Sequence, residues 1–362
     1  MLAISPSRLI VGAGSNLYSY AFNASSSNAT SPSVIFEGVI SLLGRFESER
    51  TITALTFIDD GGFDRTLHVA FQDGTIERVL LTQSTPNHVN HSTSLSALQT
   101  NINPMSIGDF VESLSSEASS ILTLSSTGYV SLSDLSSENT NPSNSTIELN
   151  TRSWIAHLCL QSSTPYAAFG TSSSTPLIVH SITDDQISPR PFAVLHTLKG
   201  IESSTDRPHF SAVYGLSRGP LNSPWGSSPQ ILVSGWFDGN VRCYDLRSSS
   251  RSSPEPTSGK PSTPAPLRPV LSLTDRWSYE PIYSVSCGGG SASYIAAGTA
   301  RHSVVSFWDV RSPKNGWSVH APGNDPSPVY SVVLESSRFF GVTQSRPFVY
   351  DFVSYTILIL ED

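Results

Sequence analysis

The sequence predicts an all-β chain built from small repeated sheets, and three observations carry that prediction. Helix formers are scarce: 14% of the 362 residues are charged and Ser fills nearly one position in five, whereas long helices need Ala, Leu, Glu and Lys at helical period. Turn formers are abundant, with 24 Gly and 25 Pro. A strand–turn–strand unit also recurs along the chain. The 38% hydrophobic content supports a sizeable core and excludes wholesale disorder.

The clearest copy of the unit spans 231–247. It reads as a strand ending at Trp236, an Asp238-Gly239 turn, and a second strand ending in Tyr244-Asp245-Leu246-Arg247. Asp-Gly supplies the positive φ that a tight hairpin demands. The second strand recurs at 16–22, 128–135 and 305–311, and in weaker form at 74–80, 177–182 and 346–352, making seven copies. Aligned on one position, they place Tyr20, Val79, Ser133, His180, Tyr244, Trp308 and Tyr350 at intervals of 59, 54, 47, 64, 64 and 42 residues. The shortest interval is close to the roughly 40–45 residues of a four-stranded propeller blade. The longer ones contain polar, apolar-poor tracts at 83–96, 136–145 and 248–266, which cannot bury enough surface to offset ordering entropy and read as mobile insertions.

A second element precedes each hairpin. It appears as 212–216 (Ala-Val-Tyr-Gly-Leu), 281–285 (Pro-Ile-Tyr-Ser-Val) and 328–332 (Pro-Val-Tyr-Ser-Val), and more loosely at 51–55 and 154–158. It reads as the short, buried innermost strand of a blade. Two elements repeating in one order predict a seven-bladed β-propeller of four-stranded antiparallel blades, with 1–362 as a single domain.

Trp308-Asp309, with Tyr244-Asp245 and Tyr350-Asp351 as degenerate copies, resembles the signature of the WD-repeat family. The resemblance implies a structural relay of His, Ser or Thr, Asp and Trp in each blade. Blade five matches with His209, Ser234 and Asp238, although Tyr244 replaces the Trp. Elsewhere the pattern thins: blade two keeps Asp73, and blades six and seven carry Ser278 and Asp325 at the His position. The segments 298–303, 308–312, 316–319, 327–331 and 345–348 look most like the propeller of F-box/WD-repeat proteins, substrate receptors of cullin-RING ubiquitin ligases. That resemblance implies ligase components and a substrate peptide as partners, and F-box helices upstream of Met1. Trp308-Asp309-Val310-Arg311 also resembles the WDxR box by which other receptors dock on a different ligase, with Trp308, Asp309 and Arg311 as its members.

The formal charge of −8 disfavours a nucleic-acid partner, which needs a concentrated basic face. The 1–6 segment has neither the basic nor the apolar region of a secretory signal, and the apolar run 356–360 is too short to span a bilayer, so no membrane partner is expected. Cys159, Cys243 and Cys287 are widely spaced within apolar runs and read as buried free thiols. Together these features point to the cytoplasm or nucleus.

No catalytic constellation is evident. Motifs for zinc proteolysis, a nucleophile elbow, a phosphate-binding loop and paired thiols are missing, while Gly12-x-Gly14 and Gly288-Gly289-Gly290 read as turns. No enzyme, cofactor or metal is expected, which leaves surface recognition. The turns between second and third strands line one mouth of a propeller's channel and contribute Trp236, Phe237, Arg301, His302, Gln344 and Arg346. Aromatic and Arg side chains dominate binding hot spots, and two Arg residues from adjacent blades can fork onto a carboxylate or phosphate of a bound peptide.

Overall fold

A computed structural model of the chain describes residues 1–22, 34–42, 50–59, 64–83, 95–104, 109–135, 144–195, 212–250, 264–323, 326–352 and 356–359. Blade one contains β1 (Leu2–Ile4), β2 (Arg8–Ala13), β3 (Asn16–Phe22) and β4 (Val34–Ser41). Blade two contains β5 (Ile52–Phe57), β6 (Thr66–Phe71), β7 (Thr75–Gln83) and β8 (Leu95–Pro104). Blade three contains β9 (Val111–Glu117), β10 (Ser120–Ser125), β11 (Tyr129–Asp134) and β12 (Asn144–Glu148). Blade four contains β13 (Ser153–Cys159), β14 (Tyr166–Thr171), β15 (Leu177–Thr183), a short β16 (Gln186–Ile187) beside β15, and β17 (Ala193–Leu195).

Blade five contains β18 (Val213–Arg218), β19 (Ile231–Trp236), β20 (Asn240–Asp245) and β22 (Pro269–Thr274); helix α1 (Leu246–Ser250) and β21 (Ala265–Pro266) lie between β20 and β22 in the chain, and β21 pairs with blade four. Blade six contains β23 (Ile282–Gly288), β24 (Tyr294–Thr299), β25 (Val304–Asp309) and β26 (Trp317–His320). Blade seven contains β27 (Val329–Glu335), β28 (Arg338–Thr343), β29 (Pro347–Asp351) and β30 (Thr356–Ile359). The four main strands of every blade pair antiparallel in chain order, as the seven repeats predict. All seven aligned positions fall on third strands.

The innermost strands β1, β5, β9, β13, β18, β23 and β27 pack side by side, and β27 meets β1 to close the ring. An apolar seam does the closing: Leu9, Val11 and Tyr20 of blade one share a buried cluster with Phe340, Val342 and Val349 of blade seven. Small residues let successive blades approach. A Cβ on Gly298 of β24 would lie 2.8 Å from the Val329 carbonyl oxygen of the next blade, and one on Gly170 of β14 would lie 2.5 Å from that of Val213.

Two local expectations need correction. The Asp238-Gly239 hairpin has a three-residue loop in which Gly239 alone takes positive φ (79°), its N–H donating to the Trp236 carbonyl at 3.1 Å. The insertions are also shorter than composition suggested. Gln83 still belongs to β7, Leu95 to β8, and Asn144 and Ser145 to β12, so 84–94, 136–143 and 251–263 lie outside the described residues. The end of the third tract is strand: β21 runs parallel to β17 and adds an edge to blade four. There the Ala265 N–H donates to Phe192 O at 2.9 Å and the Leu267 N–H to Val194 O at 2.8 Å, with Leu267 buried.

Candidate functional site at the channel mouth

The innermost strands share a bulge. In β5, β13, β18, β23 and β27 the pairing slips after the first residue, leaving Thr53, Trp154, Tyr214, Tyr283 and Tyr330 without a ladder partner, and β9 leaves Glu112 in the same place. A bulge re-aims its extra side chain, and these six line a central cavity of about 600 Å³. The residue before each, Ile52, Val111, Ser153, Val213, Ile282 or Val329, is buried. The innermost strand is therefore not buried throughout, as the sequence suggested. In six of the seven blades it turns its bulged side chain into the channel.

In blades four to seven that side chain is aromatic, and the rings form an arc. Trp154 meets Tyr214 edge-on at 4.8 Å, Tyr214 meets Tyr283 edge-on at 5.3 Å, and Tyr283 lies near-parallel to Tyr330 at 6.1 Å and 24°. Tyr330 is 43% exposed. At the Trp154 end, the Arg152 guanidinium lies 3.9 Å over the indole and pairs with Glu112 Oε2 at 2.8 Å. Burial raises the Glu112 carboxyl while Arg152 lowers it, and burial raises the Tyr214 phenol, with Tyr283 adding to the rise. None of these residues was singled out in the sequence. The signal was available in the repeated Val213-Tyr214, Ile282-Tyr283 and Val329-Tyr330 pairs: a β-branched residue followed by Tyr in strands of one register.

The turns expected to carry recognition lie around this arc. Phe237, 50% exposed, packs edge-on to Tyr214 at 6.0 Å. Glu280, just before β23, accepts the Arg301 backbone N–H at 2.8 Å and also bonds His302 Nδ1. The His302 N–H donates to Pro326 O at 3.2 Å and the Gln344 N–H to Ser327 Oγ at 3.3 Å, which ties the blade-six and blade-seven turns together. Arg346 packs against Gly323 and donates from Nε to Ser345 Oγ at 3.4 Å. Neither Arg301 nor Arg346 has an ion pair among the described residues. Trp236 does not reach the face: it is 2% exposed and lies in the core cluster with Leu232 and Tyr244. Trp277 and Tyr279, between blades five and six, are 91% and 78% exposed on the same side and were overlooked because no repeat marks them.

The relay expected in blade five is only partly within the described residues. His209 lies outside the described residues. Ser234 Oγ accepts the Trp236 indole N–H at 2.7 Å. Asp238 grips Arg242 at 2.6 Å, and that guanidinium lies 4.5 Å over the Trp236 ring. Blade two repeats the device with Arg50 paired to Asp73 at 3.0 Å and 3.9 Å over Phe71. In the WDxR segment Trp308 is buried, while Asp309 holds Arg311 through Oδ1–Nε at 3.0 Å and Oδ2 to the terminal nitrogen at 2.6 Å. Hydrogen bonds from Arg311 hold the Asp309 carboxyl down at about 2. Asp245 holds Arg247 in the same way, with both contacts at 2.8 Å.

No helix among the described residues is long and apolar enough to cross a membrane. The sequence matches no family model and no curated protein. In fold it is similar to Sqt1 of Saccharomyces cerevisiae, with a TM-score of 0.60, 11% identity, and coverage of 99% of this chain and 83% of that one. A likeness at that identity is one of fold alone.

Proposed function

We propose that this propeller is a non-enzymatic protein-interaction scaffold that holds a partner segment at the channel mouth between blades four and seven. One observation carries the reading: an unbroken row of partly exposed Trp and Tyr rings lining the cavity, with Phe237 exposed against Tyr214 and with Trp277 and Tyr279 exposed in the loop before blade six. Tyr and Trp give large, stiff, amphipathic contact area and are enriched at interface hot spots. The finer reading is a substrate receptor of a cullin-RING ligase, acting in the cytoplasm or nucleus. It is supported by the resemblance of the 298–348 segments to F-box/WD-repeat propellers.

Affinity purification of the native gene product tests both levels. A cullin scaffold with its linker protein is expected among the recovered proteins. Recovery of a different defined assembly, lost on Trp277→Ala with Tyr279→Ala, would remove the ligase reading and keep the scaffold. A catalytic turnover traced to the purified propeller would overturn both.

A further inference from the structure

Blades six and seven bring unspent positive charge beside the aromatic arc. Seven arginines elsewhere in the described residues are each held by a carboxylate. Arg276, on the loop before blade six, and Arg301 and Arg346, on the turns of blades six and seven, have no ion pair among the described residues, and the first two are exposed. The two turns converge on one residue. The Ser303 N–H donates to Ser327 O at 3.0 Å and the Gln344 N–H to Ser327 Oγ at 3.3 Å, so Arg301 and Arg346 flank the segment that leads into Tyr330. That ring is 43% exposed and lies near-parallel to Tyr283. The carboxylates nearby are already engaged: Asp275 accepts from Ser306 Oγ at 2.5 Å and from the Trp277 N–H at 2.9 Å, and Glu280 accepts the Arg301 N–H and bonds His302. Asp238 is paired with Arg242, and Glu112 of the cavity wall with Arg152. In a chain of formal charge −8, this sector offers a ligand cations and leaves it few free anions to meet.

We propose that this sector docks an acidic segment of a partner protein, with Asp or Glu carboxylates on Arg301 and Arg346 and an apolar side chain laid on Tyr330 and Tyr283. A guanidinium presents a flat pair of donors that matches a carboxylate, and Tyr rings give stiff apolar contact. Because the two arginines reach the Tyr330 segment from different blades, the fitting sequence carries acids on both sides of the apolar residue. A singly charged carboxylate suits the place better than a phosphate. Glu280 sits against the Arg301 turn and repels a dianion more strongly than a monoanion. This inference rests on the scaffold reading and names its ligand chemistry.

The test uses the full chain and acetylated, amidated Gly/Ser peptides with a central Phe flanked on both sides by Glu, Gln, Lys or phosphoserine, followed by calorimetry. The Glu peptide is expected to bind at least about tenfold tighter than the Gln peptide at about 50 mM salt, with the difference shrinking at about 500 mM. Arg301→Ala and Arg346→Ala should each weaken the Glu peptide by about three- to tenfold and leave the Gln peptide unchanged, while Tyr330→Ala should weaken both peptides alike. Unchanged near-ultraviolet circular dichroism would show that the variants keep their packing. Equal binding of the Gln peptide, preference for the Lys peptide, or no binding of the Glu peptide at about 5 mM each overturns the inference. A phosphoserine peptide that binds more than about tenfold tighter than the Glu peptide overturns the assignment to carboxylates. If a defined partner is still captured after Arg301→Ala with Arg346→Ala while the Glu peptide fails, the acidic-segment inference falls alone; if no defined partner is recovered while the Glu peptide binds, the scaffold reading loses its support and the site stands.

Discussion

Acid should destabilise this propeller through a histidine that has nothing to do with recognition. His68, in the middle of β6, is 1% exposed, has no partner for Nδ1 among the described residues, and lies across the sheet from Arg78 on one side and Thr56 on the other. Burial first and Arg78 second lower its pKa from 6.5 to about 4. Because the folded value lies below the unfolded one, the unfolded chain takes up the proton first as pH falls. Stability is therefore intact above pH about 6.5 and lost progressively towards pH about 4. The full difference corresponds to about 3 kcal/mol, of which about 2 kcal/mol is already lost at pH about 5.

The perturbation is His68→Leu, which fills the site with carbon and removes the titration. Urea unfolding at pH about 7.5 and about 5 should show the wild type losing about 2 kcal/mol more than the variant between the two conditions. His157, also lowered to about 4, and His180, lowered by burial, titrate in the same direction. The variant therefore keeps part of the slope. An identical pH dependence in both proteins would refute the argument from His68 burial.

The other predictions concern packing and the face. Gly298→Ala places a Cβ 2.8 Å from the Val329 carbonyl, which cannot move without shifting blade seven; a loss of about 1–3 kcal/mol should appear as a lower melting temperature. Ile282→Ala, at a fully packed position, should cost about 2–5 kcal/mol, whereas Tyr283→Ala beside it should leave the melting temperature nearly unchanged. Arg301→Ala combined with Arg346→Ala should abolish partner capture without unfolding, and unchanged capture removes those two residues from the site. Arg311→Ala should leave the fold intact; loss of a ligase linker from the purified complex would give that exposed guanidinium a docking role, and retention would leave it a local partner of Asp309.

Blade number, strand order and the third-strand positions were legible because each depends on a residue type the fold requires wherever it occurs. Val or Ile enters the core, an Asp accepts the N–H two residues on, and Gly takes the turn, as at Asp238–Asn240 and Asp73–Thr75. What the sequence hid was three-dimensional. Trp236 ends its strand beside an exposed Phe237, and only the pleat decides that the indole turns inward to Ser234 while the phenyl stays out. The Arg242 contact with Trp236 crosses between neighbouring strands and has no signature along the chain. Likewise β21 crosses from blade five to the edge of blade four, a pairing that no local pattern announces.

The bulge explains why the channel mouth can be specialised at little cost to the fold. A residue paired in the ladder faces a partner on the second strand, so its identity is bound to packing. The extra residue of a bulge has no such partner. In this propeller the position before it stays small or β-branched and buried in all six bulged blades, while the bulged position itself ranges over Thr53, Glu112, Trp154, Tyr214, Tyr283 and Tyr330. Selection for a ligand can act there without disturbing the ring. The aromatics occupy four adjacent blades, not alternate ones, so the mouth has one aromatic side and one side with Thr and Glu. Such an asymmetric mouth orients what enters it, whereas a mouth lined alike by every blade would hold a ligand in any of seven equivalent rotations.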